Sequence, residues 1–445
     1  MKNRKHGSKL RYGTALLVVA ALGLTACGDD DDSSSSDTTG GSDETTAPAE
    51  TGNLAEALGY TDNLLGDVSC NFGAVLALTG PGSFYGKTMS RGTDLAIKLI
   101  KEAGGPNFSV EYWDHKSGDP AAGVTAMTEI IGKGITVKLA SYIDDLGAML
   151  PQTESGKVFT LDGGGGTSTF GQGKPYFWGT RAITPNDALD GAFEYFKATN
   201  PEGSTVGIVG WDLGEASNET IIADYQARMA KAGLTDSGLV ELTPVGATDY
   251  AQSISKIKAN QPDLLIVSLY GQDPGAFLNQ AKTAGITSTM INFEFTPDGV
   301  NASKGVYEEG FVFAYDYFDA ANAVSPLATL FVEKFNEEYG EDPDFYAANF
   351  FENVVRFWEL MREASAAGAT NDQLCVGTTL DETLQADLEM VSVYGGDDTT
   401  NGTSSLDPVT HSVSERPMGV FEYANGSVTP LATFGMNGEG FALVE

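Results

Sequence analysis

The fold is decided by one stretch, NFGAVLALTGPGSFYGKTMSRGTDLAIKLIKEAGG, at residues 71–105. Its first part, residues 72–78, is a short uncharged apolar run, which predicts a buried parallel strand. A glycine-rich loop follows, and then an apolar helical face that ends at a pair of glycines. Ligands of open α/β sheets bind beyond the carboxyl ends of the strands, so the loop that carries Ser83 and Tyr85 is the first candidate binding site.

The same loop contains a sequence that looks like a phosphate-binding P-loop but is out of register. Residues 86–88, Gly-Lys-Thr, match the end of the G-x-x-x-x-G-K-[ST] motif. The motif requires a glycine five places before Gly86, and that position is Pro81, which has no N–H to offer a phosphate. The spacing therefore argues against nucleotide binding.

The remainder of the chain alternates strands with helices. Strands are predicted at residues 110–114, 137–140, 158–161, 206–210, 264–269 and 289–293, and helices at residues 119–131, 216–232, 250–259 and 274–284. This alternation is typical of parallel sheets flanked by helices. Because a connector containing Pro185 separates two such series, the predicted fold class is α/β with two Rossmann-like lobes.

The N-terminal region has the composition of an export signal followed by a tether. Basic residues precede an uncharged apolar segment at residues 15–24, which is too short to span a bilayer and is typical of a signal peptide. Residues 24–27, Leu-Thr-Ala-Cys, resemble the bacterial lipobox, which implies a signal peptide at residues 1–26 and a lipid on Cys27. The alternative is an ordinary signal peptide with a chance cysteine. Residues 27–66 continue with Asp, Ser and Thr, a composition that predicts a disordered tether.

The charge and length of the chain limit its partners and its architecture. The sequence has 26 Lys and Arg against 61 Asp and Glu, a formal net charge of −35. Such an acid excess disfavours nucleic acid and anionic membrane surfaces as partners. The part that follows the tether is too long for one hydrophobic core and suits two domains.

The few cysteines and histidines exclude several kinds of chemistry. With Cys27 assigned to the lipid, Cys70 and Cys375 remain, and in an oxidising compartment they either form a disulfide or stay as two buried thiols. The sequence has three histidines and no CxxC motif, which leaves little material for zinc sites or histidine-based triads. No metal or other cofactor is expected.

Four segments together resemble a known family. They are the opening FGAVLALTGPGSFYGKTMSRGTDLAIKLIKEAGG, then VEYWDHKSGDPAAG, DYAQSISKIKANQPDLLIVSLYGQDPGAFLNQAKTAGI and SERPMGVFEYANGSVTPLATF. They look like type I periplasmic-binding proteins, and in pattern they are most similar to the branched-chain amino-acid receptors of ABC transporters. The resemblance runs from about residue 68 to residue 434, which is nearly all of the predicted folded part.

The resemblance implies a clamshell in which two α/β lobes, joined at a hinge, hold one small ligand. Residues 68–185 and about 315–420 would form the first lobe, residues 186–314 the second, and residues 421–445 a C-terminal hairpin and tail. Both cysteines beyond the lipobox would then lie in the first lobe, which favours the disulfide. The implied partner is an ABC permease in the membrane, and the protein itself is expected to be a monomer.

The resemblance also implies a set of ligand-binding residues in the cleft. Tyr85 in the first lobe and Tyr270 in the second match tyrosines that face the ligand, and Glu294 matches an acid that holds a ligand ammonium group. Glu294 lies between two phenylalanines, where an unpaired charge is costly. The alternatives are packing within a lobe for the aromatic residues and an internal salt bridge for Glu294. The other candidates are Ser83, Asp144, Gly164, Gly165, Trp211 and Tyr346, with Phe345 as the alternative to Tyr346.

Two departures from the family pattern alter the expected ligand. Residues 141–147, SYIDDLG, replace a Ser/Thr-rich turn that grips a ligand carboxylate, and two acidic side chains there would repel it. Asp144 instead suits the cap of a helix that starts near Leu146. Residues 163–166 are four glycines, which leave backbone donors for a carboxylate but no side-chain grip. A cationic, amide or aromatic ligand is therefore favoured over a leucine-like one.

The function that these features favour is solute binding without chemistry. The expected protein is an extracytoplasmic lipoprotein, anchored to the cell membrane, that binds a small amino-acid-like or related polar ligand and delivers it to a permease. A ligand-sensing lipoprotein of the same fold is the alternative. An enzyme is not expected, because no G-x-S-x-G elbow occurs and no set of nucleophile, base and oxyanion donors can be assembled from the residues present.

Overall fold

The computed structural model describes residues 52–141, 143–164, 173–182, 185–316 and 318–444, with the backbone alone at residues 143–146 and at Ala216. All of these residues belong to one unit of the chain, Glu50–Glu445. The predicted signal peptide, Cys27 and most of the tether lie outside the described residues. Within the described part of the chain, we find no helix that combines the length and the apolar character needed to cross a membrane.

Helices and strands alternate along most of the chain. The α-helices in the described residues are α1 (Leu54–Ala57), α2 (Ser83–Glu102), α3 (Pro120–Gly132), α4 (Ile143–Gly156), α5 (Asn186–Thr199), α6 (Glu215–Ala232), α7 (Ala251–Asn260), α8 (Asp273–Thr283), α9 (Pro297–Ala302), α10 (Pro326–Tyr339), α11 (Phe345–Ala366) and α12 (Gly377–Ala386). The strands are β1 (Ser69–Leu76), β2 (Asn107–Asp114), β3 (Val137–Ala140), β4 (Phe159–Asp162), β5 (Phe177–Gly179), β6 (Thr205–Trp211), β7 (Thr235–Thr243), β8 (Leu264–Ser268), β9 (Thr289–Asn292), β10 (Glu309–Asp316), β11 (Glu389–Gly396), β12 (Asn401–Asp407), β13 (Ser412–Val413), β14 (Pro417–Ala424), β15 (Ser427–Gly435) and β16 (Ala442–Leu443).

The strands form two sheets, each of which combines a parallel part with antiparallel strands. In the described residues the first has the order β11-β12-β13-β5-β4-β3-β1-β2 and the second β16-β15-β14-β10-β9-β8-β6-β7. Six neighbouring strands of the first sheet are parallel, from β2 to β13, and five of the second sheet are parallel, from β7 to β10. Antiparallel strands extend each sheet at one edge. The prediction of an α/β fold with two Rossmann-like lobes is confirmed.

Within the described ranges, the chain passes between the two sheets three times, and the last passage differs from the expected layout. Strand β14 pairs antiparallel with β10, with Met418 opposite Asp316, and Met418 and Val420 are buried in the core of the second lobe. Residues 417–420 therefore lie with the second sheet rather than the first. Strand β15 continues that sheet, so the segment expected as a separate hairpin and tail is part of the second lobe.

The three crossovers are held together by buried charged groups. Arg181 in the first crossover donates from Nε to Asp316 Oδ2 at the end of β10, over 2.8 Å. Arg416 in the third donates to the backbone oxygen of Thr180 in the first and, over 2.6 Å, to Glu352 Oε1 in α11. Removing one partner of such a pair leaves a buried charge uncompensated, which is strongly destabilising. These buried pairs therefore tie the three crossovers to one another.

Helix α11 forms the centre of the first lobe and packs closely against α2. A Cβ at Gly92 of α2 would lie 2.1 Å from the backbone oxygen of Ala347, so only glycine permits this contact. Asp344 caps α11 by accepting from Ala347 N at 2.8 Å, and it also accepts from Thr88 Oγ1 of α2 at 2.8 Å. The close packing and the shared cap fix the first turn of α11 beside the first turn of α2.

A disulfide joins the two sequence segments that build the first lobe. Cys70 in β1 and Cys375, just before α12, are bonded with a Cα–Cα distance of 5.3 Å and a sequence separation of 305 residues. Both alternatives for these cysteines were open from the sequence, and the structure contains the bonded form. A cross-link across so long a loop restricts the unfolded chain strongly.

We expect loss of this disulfide to lower the stability of the protein by about 2–5 kcal/mol. The double variant Cys70→Ser/Cys375→Ser should unfold at a lower temperature than the oxidised wild type in differential scanning calorimetry. A reductant should lower the Tm of the wild type and leave that of the double variant unchanged. Equal melting temperatures for the variant and the oxidised wild type would contradict the assignment.

Candidate functional site

The candidate site lies where the carboxyl ends of the strands of both lobes meet. Tyr85 follows β1, Glu294 follows β9, and Tyr346 comes from the start of α11. The sequence placed Ser83 and Tyr85 in a loop, but α2 begins at Ser83, so both belong to its first turn. Tyr85 is buried, whereas Ser83 is exposed. The difference follows from the helical period, which turns neighbouring side chains to different sides.

Glu294 is the centre of the site. Its side chain is only 3% exposed, and its Oε2 accepts hydrogen bonds from the hydroxyls of Tyr85, at 3.0 Å, and Tyr346, at 3.3 Å. Its Oε1 accepts from the backbone N–H of Phe295 at 3.2 Å. Both tyrosines belong to the first lobe and the carboxylate to the second, so these hydrogen bonds span the cleft. Three of the residues that the sequence singled out therefore meet at one point.

Tyr85 makes a second contact across the cleft. Its hydroxyl accepts a hydrogen bond from the backbone N–H of Gly271, just beyond β8, at 3.2 Å. Its ring packs edge-on against Tyr346, with 5.0 Å between the ring centroids. One first-lobe side chain thus contacts the segments that follow both β8 and β9 of the second lobe.

Arg181 is part of the site and was missed by sequence reasoning. Its guanidinium carbon lies 4.5 Å from the ring centroid of Phe345 and 4.8 Å from that of Tyr346, and its Nη1 donates to the oxygen of Gly164 at 3.1 Å. The sequence feature that could have indicated Arg181 is its place directly after the mostly apolar segment FWGT, in a chain with few basic residues. The structure shows that this segment is buried. Nothing in the sequence indicated which acidic residue pairs with it, because Asp316 is 135 residues away.

The environment of Glu294 changes its acidity. Burial raises the pKa of this carboxyl from its ordinary value to about 7, against the opposing effects of Arg181 and of the hydrogen bonds from Tyr85 and Tyr346. The hydrogen bonds and the positive charge do not fully offset the loss of water. Glu294 therefore keeps its proton to a higher pH than an exposed glutamate does.

Tyr270 and Trp211 form a neighbouring pair in the second lobe. Their rings meet edge-on with 5.0 Å between centroids. The Trp211 indole N–H donates to Asp273 Oδ2 at 2.8 Å, and the Tyr270 hydroxyl lies 3.1 Å from Ser268 Oγ. Burial raises the pKa of Tyr270 above its ordinary value, so its hydroxyl stays protonated. This pair lies next to the cluster of Glu294, Tyr85 and Tyr346, because Gly271 directly follows Tyr270 and its N–H donates to the Tyr85 hydroxyl.

The remaining candidates are not assembled around Glu294 in the same way. The N–H of Gly164 donates to Asp162 Oδ1 at 2.9 Å and its oxygen accepts from Arg181, so both backbone groups already have partners within the protein. Gly165 lies outside the described residues. Helix α4 begins at Ile143, earlier than expected, so Asp144 is inside its first turn, and the side chain of Asp144 lies outside the described part of the structure.

The site contains hydrogen-bonding groups and aromatic surface, and its arrangement suits binding. Among the described residues, no group of three or more His, Cys, Asp or Glu side chains is placed to hold a metal ion. Hydroxyl donors, a buried carboxyl and aromatic walls can hold a small molecule that carries a cationic or donor group.

Comparison with known protein families identifies one family over most of the chain. A family model described as periplasmic binding protein matches residues 69–426. A curated relative, the "Leu/Ile/Val-binding protein homolog 8" of Brucella suis biovar 1 (strain 1330), is 23% identical over 314 residues, covering 65% of this chain and 75% of the relative.

Solved structures share the fold at low sequence identity. A leucine binding protein, LivK, from Thermotoga maritima MSB8 has a TM-score of 0.70 at 17% identity and covers 82% of this chain and 98% of its own. LivJ from Streptococcus pneumoniae, in complex with isoleucine, has a TM-score of 0.67 at 18% identity, with coverages of 84% and 99%. A solute binding protein from R. palustris in complex with benzoate has a TM-score of 0.66 at 17% identity, with coverages of 85% and 98%.

The raised pKa of Glu294 predicts how pH affects stability. A carboxyl whose pKa is higher in the folded state than in the unfolded state stabilises the fold at low pH, and this contribution is lost as pH rises from about 4.5 to about 7. Glu294→Gln removes this dependence, so the stability of the variant relative to the wild type should rise by roughly 2 kcal/mol between pH 5 and pH 8. Calorimetry at both pH values measures the difference.

Glu202→Gln is the matched control, because Glu202 is exposed in the same lobe, at the opposite end of the sheet from the cleft. This variant should track the wild type at both pH values. If Glu294→Gln also tracks the wild type, the carboxyl does not titrate in this range.

Proposed function

This chain belongs to the type I periplasmic binding proteins, and on this premise we propose that it is the extracytoplasmic solute-binding component of an ABC importer. Proteins of this family bind solutes and are not enzymes. The proposed ligand is a small amino-acid-like molecule bound between the lobes. The observation that carries the proposal is the buried Glu294 of one lobe meeting the hydroxyls of Tyr85 and Tyr346 from the other.

The proposed mechanism is closure of the lobes around the ligand. A ligand that contacts both lobes binds the closed form more tightly than the open form, and this difference in affinity drives closure. The ammonium group would take the place of the tyrosine hydroxyls at Glu294, and the hydroxyls would then turn toward other polar atoms of the ligand. Arg181, between Asp316 and the Phe345 and Tyr346 rings, holds this part of the hinge in place as the lobes move.

The charge at the centre of the site favours a ligand with an ammonium group. Burial disfavours the ionised form of Glu294 and raises its pKa. A cation beside the carboxylate would stabilise the ionised form and offset this effect. Tyr85, Tyr346, Trp211 and Tyr270 provide aromatic surface for the body of the ligand. The leucine- and isoleucine-binding proteins among the structural neighbours support an amino acid as the ligand class.

An aromatic acid is the second candidate. The benzoate complex of a structural neighbour supports it, and so do the aromatic walls and the guanidinium of Arg181. In that case Glu294 would bind in its protonated form and donate a hydrogen bond. The two candidates therefore require opposite protonation states of one residue, and pH distinguishes them.

We expect a thermal-shift screen of amino acids, amides, polyamines and aromatic acids to identify the ligand, since saturation at 100 times Kd adds about 2.7 kcal/mol of stability.

An ammonium ligand should bind about tenfold more tightly at pH 8 than at pH 6, because binding requires ionised Glu294. Glu294→Gln should weaken it by roughly 2 kcal/mol and abolish the pH dependence. Calorimetric titration measures both effects.

The control is again Glu202→Gln, which should bind as the wild type does. Affinity that falls with rising pH and survives Glu294→Gln would establish the aromatic acid instead. If no member of the screen stabilises the protein, the proposed ligand classes are wrong.

We further propose that the protein is a lipoprotein anchored through Cys27 and that it acts as a monomer with a membrane permease. A sensory lipoprotein of the same fold remains the alternative, and permease and ATPase genes beside this one would favour transport. Cys27→Ala should abolish incorporation of labelled fatty acid in the bacterial host and release the protein from the membrane fraction. Labelling that persists in this variant would refute attachment at Cys27.

A further inference from the structure

A second cavity lies beside the hinge, separate from the site at Glu294. Its volume is about 470 Å³, within the range of small-molecule sites. It is lined by the connection after β10, the end of β11, the start of β14 and the end of β15. None of the residues proposed for the cleft contributes to its lining.

The floor of this cavity is apolar and partly aromatic. It is formed by the side chains of Phe318, Val393, Tyr394, Met418 and Phe434. Phe318 packs edge-on against Tyr394, with 5.4 Å between ring centroids, which fixes two of these walls relative to each other. Such a surface suits an aromatic or branched alkyl body.

The charge around the cavity has one sign. The charged side chains among its described lining residues are Asp319 and Glu439. The guanidinium of Arg416 lies behind the Tyr394 ring, but its side chain is fully buried and is neutralised by Glu352 at 2.6 Å. The rim therefore attracts a cation and repels an organic anion.

The position of the cavity ties it to the hinge. The strands that lead into the crossovers are β5 and β13 in the first sheet and β10 and β14 in the second. They lie between the strands that carry the cleft residues and the strands β11 and β15, which border the cavity. The cavity has walls from both lobes, on the flank of the crossovers away from the cleft. A rotation that opens the cleft changes the distance between these walls, so the cavity has its present shape only at the present hinge angle.

A hydrogen bond connects the cavity floor to the cleft. The Tyr394 hydroxyl donates to the backbone oxygen of Phe345 at 3.2 Å and lies 3.2 Å from Asn349 Oδ1. Phe345 is the first residue of α11, and Tyr346, which contacts Glu294, is the next. The wall of the cavity thus contacts the same helical turn that closes the cleft.

From these observations we propose that the hinge cavity is a second binding site, for a small aromatic or branched-alkyl amine, and that its occupancy favours the closed arrangement of the lobes. Its apolar floor takes the body of the ligand, and the carboxylates of Asp319 and Glu439 hold the amine at the rim. The coupling to closure rests on the proposed function, whereas binding in the cavity does not.

Binding of tryptamine by equilibrium dialysis tests the site directly. We expect saturable binding with a dissociation constant on the order of 0.1–1 mM, and binding of indole-3-propionate at least tenfold weaker because it carries a carboxylate. Thr433→Trp, which fills the cavity from β15, should weaken tryptamine binding at least tenfold. Ala323→Trp fills the cavity from the opposite wall and replaces Thr433→Trp in this experiment if Thr433→Trp does not fold.

The matched control is Val428→Trp, which places the same ring on β15 at an exposed position outside the cavity and should bind as the wild type does. Absence of saturable binding up to 10 mM would overturn the proposal. It would also be overturned if cavity-filling variants bind normally, or if Glu294→Gln abolishes tryptamine binding, which would place the probe in the cleft.

The coupling has its own test with the same probe. Tyr85→Phe/Tyr346→Phe removes the cross-cleft hydrogen bonds without altering the cavity lining, so tryptamine should bind at least threefold more weakly to this variant. Unchanged affinity would overturn the coupling to closure. Tryptamine binding is measured without a cleft ligand. If the cavity site is wrong, tryptamine does not bind in the cavity; if only the proposed transport function is wrong, it still does.

Discussion

The buried carboxyl of Glu294 is the group on which the arrangement of the two lobes depends. A carboxyl 3% exposed needs hydrogen-bond donors, and the side-chain donors within hydrogen-bond distance, Tyr85 and Tyr346, come from the opposite lobe. Separation of the lobes returns this carboxyl to water, and approach of the lobes requires the tyrosines or a ligand to compensate it. The distance between the lobes and the hydrogen bonding of the carboxyl in the cleft therefore depend on each other.

The rest of the fold supplies the three groups from distant parts of the chain. Parallel strands deliver Glu294 from β9 and, through the start of α2, Tyr85 from the segment after β1. Tyr346 comes from α11, which is fixed against α2 by the close contact at Gly92 and by the cap at Asp344. Packing inside the first lobe thus sets the positions of the donors, and the charged pairs at the crossovers limit how the second lobe meets them.

Much of this was accessible from sequence because it depends on local patterns. Apolar runs and helical periodicity predicted most of the parallel strands and their helices, and the end of the first strand indicated Tyr85. Glu294 and Tyr346 were indicated by the resemblance to a known family. Arg181, its pairing with Asp316 and the pairing of Arg416 with Glu352 were not accessible, because they join residues that only the tertiary fold brings together. The third crossover was misplaced by a few residues for a related reason, since only the pairing of β14 with β10 assigns residues 417–420 to the second sheet.

The order in which the lobes appear along the chain bears on how the protein is made. The core of the first lobe contains both β1 and α11, and the whole parallel part of the second lobe lies between them in sequence. As the chain is made from its N-terminus, the parallel strands of the second lobe emerge while the first lobe still lacks its central helix. The first lobe therefore keeps apolar strand surface uncovered until the later segment arrives, and in that interval it is most exposed to aggregation.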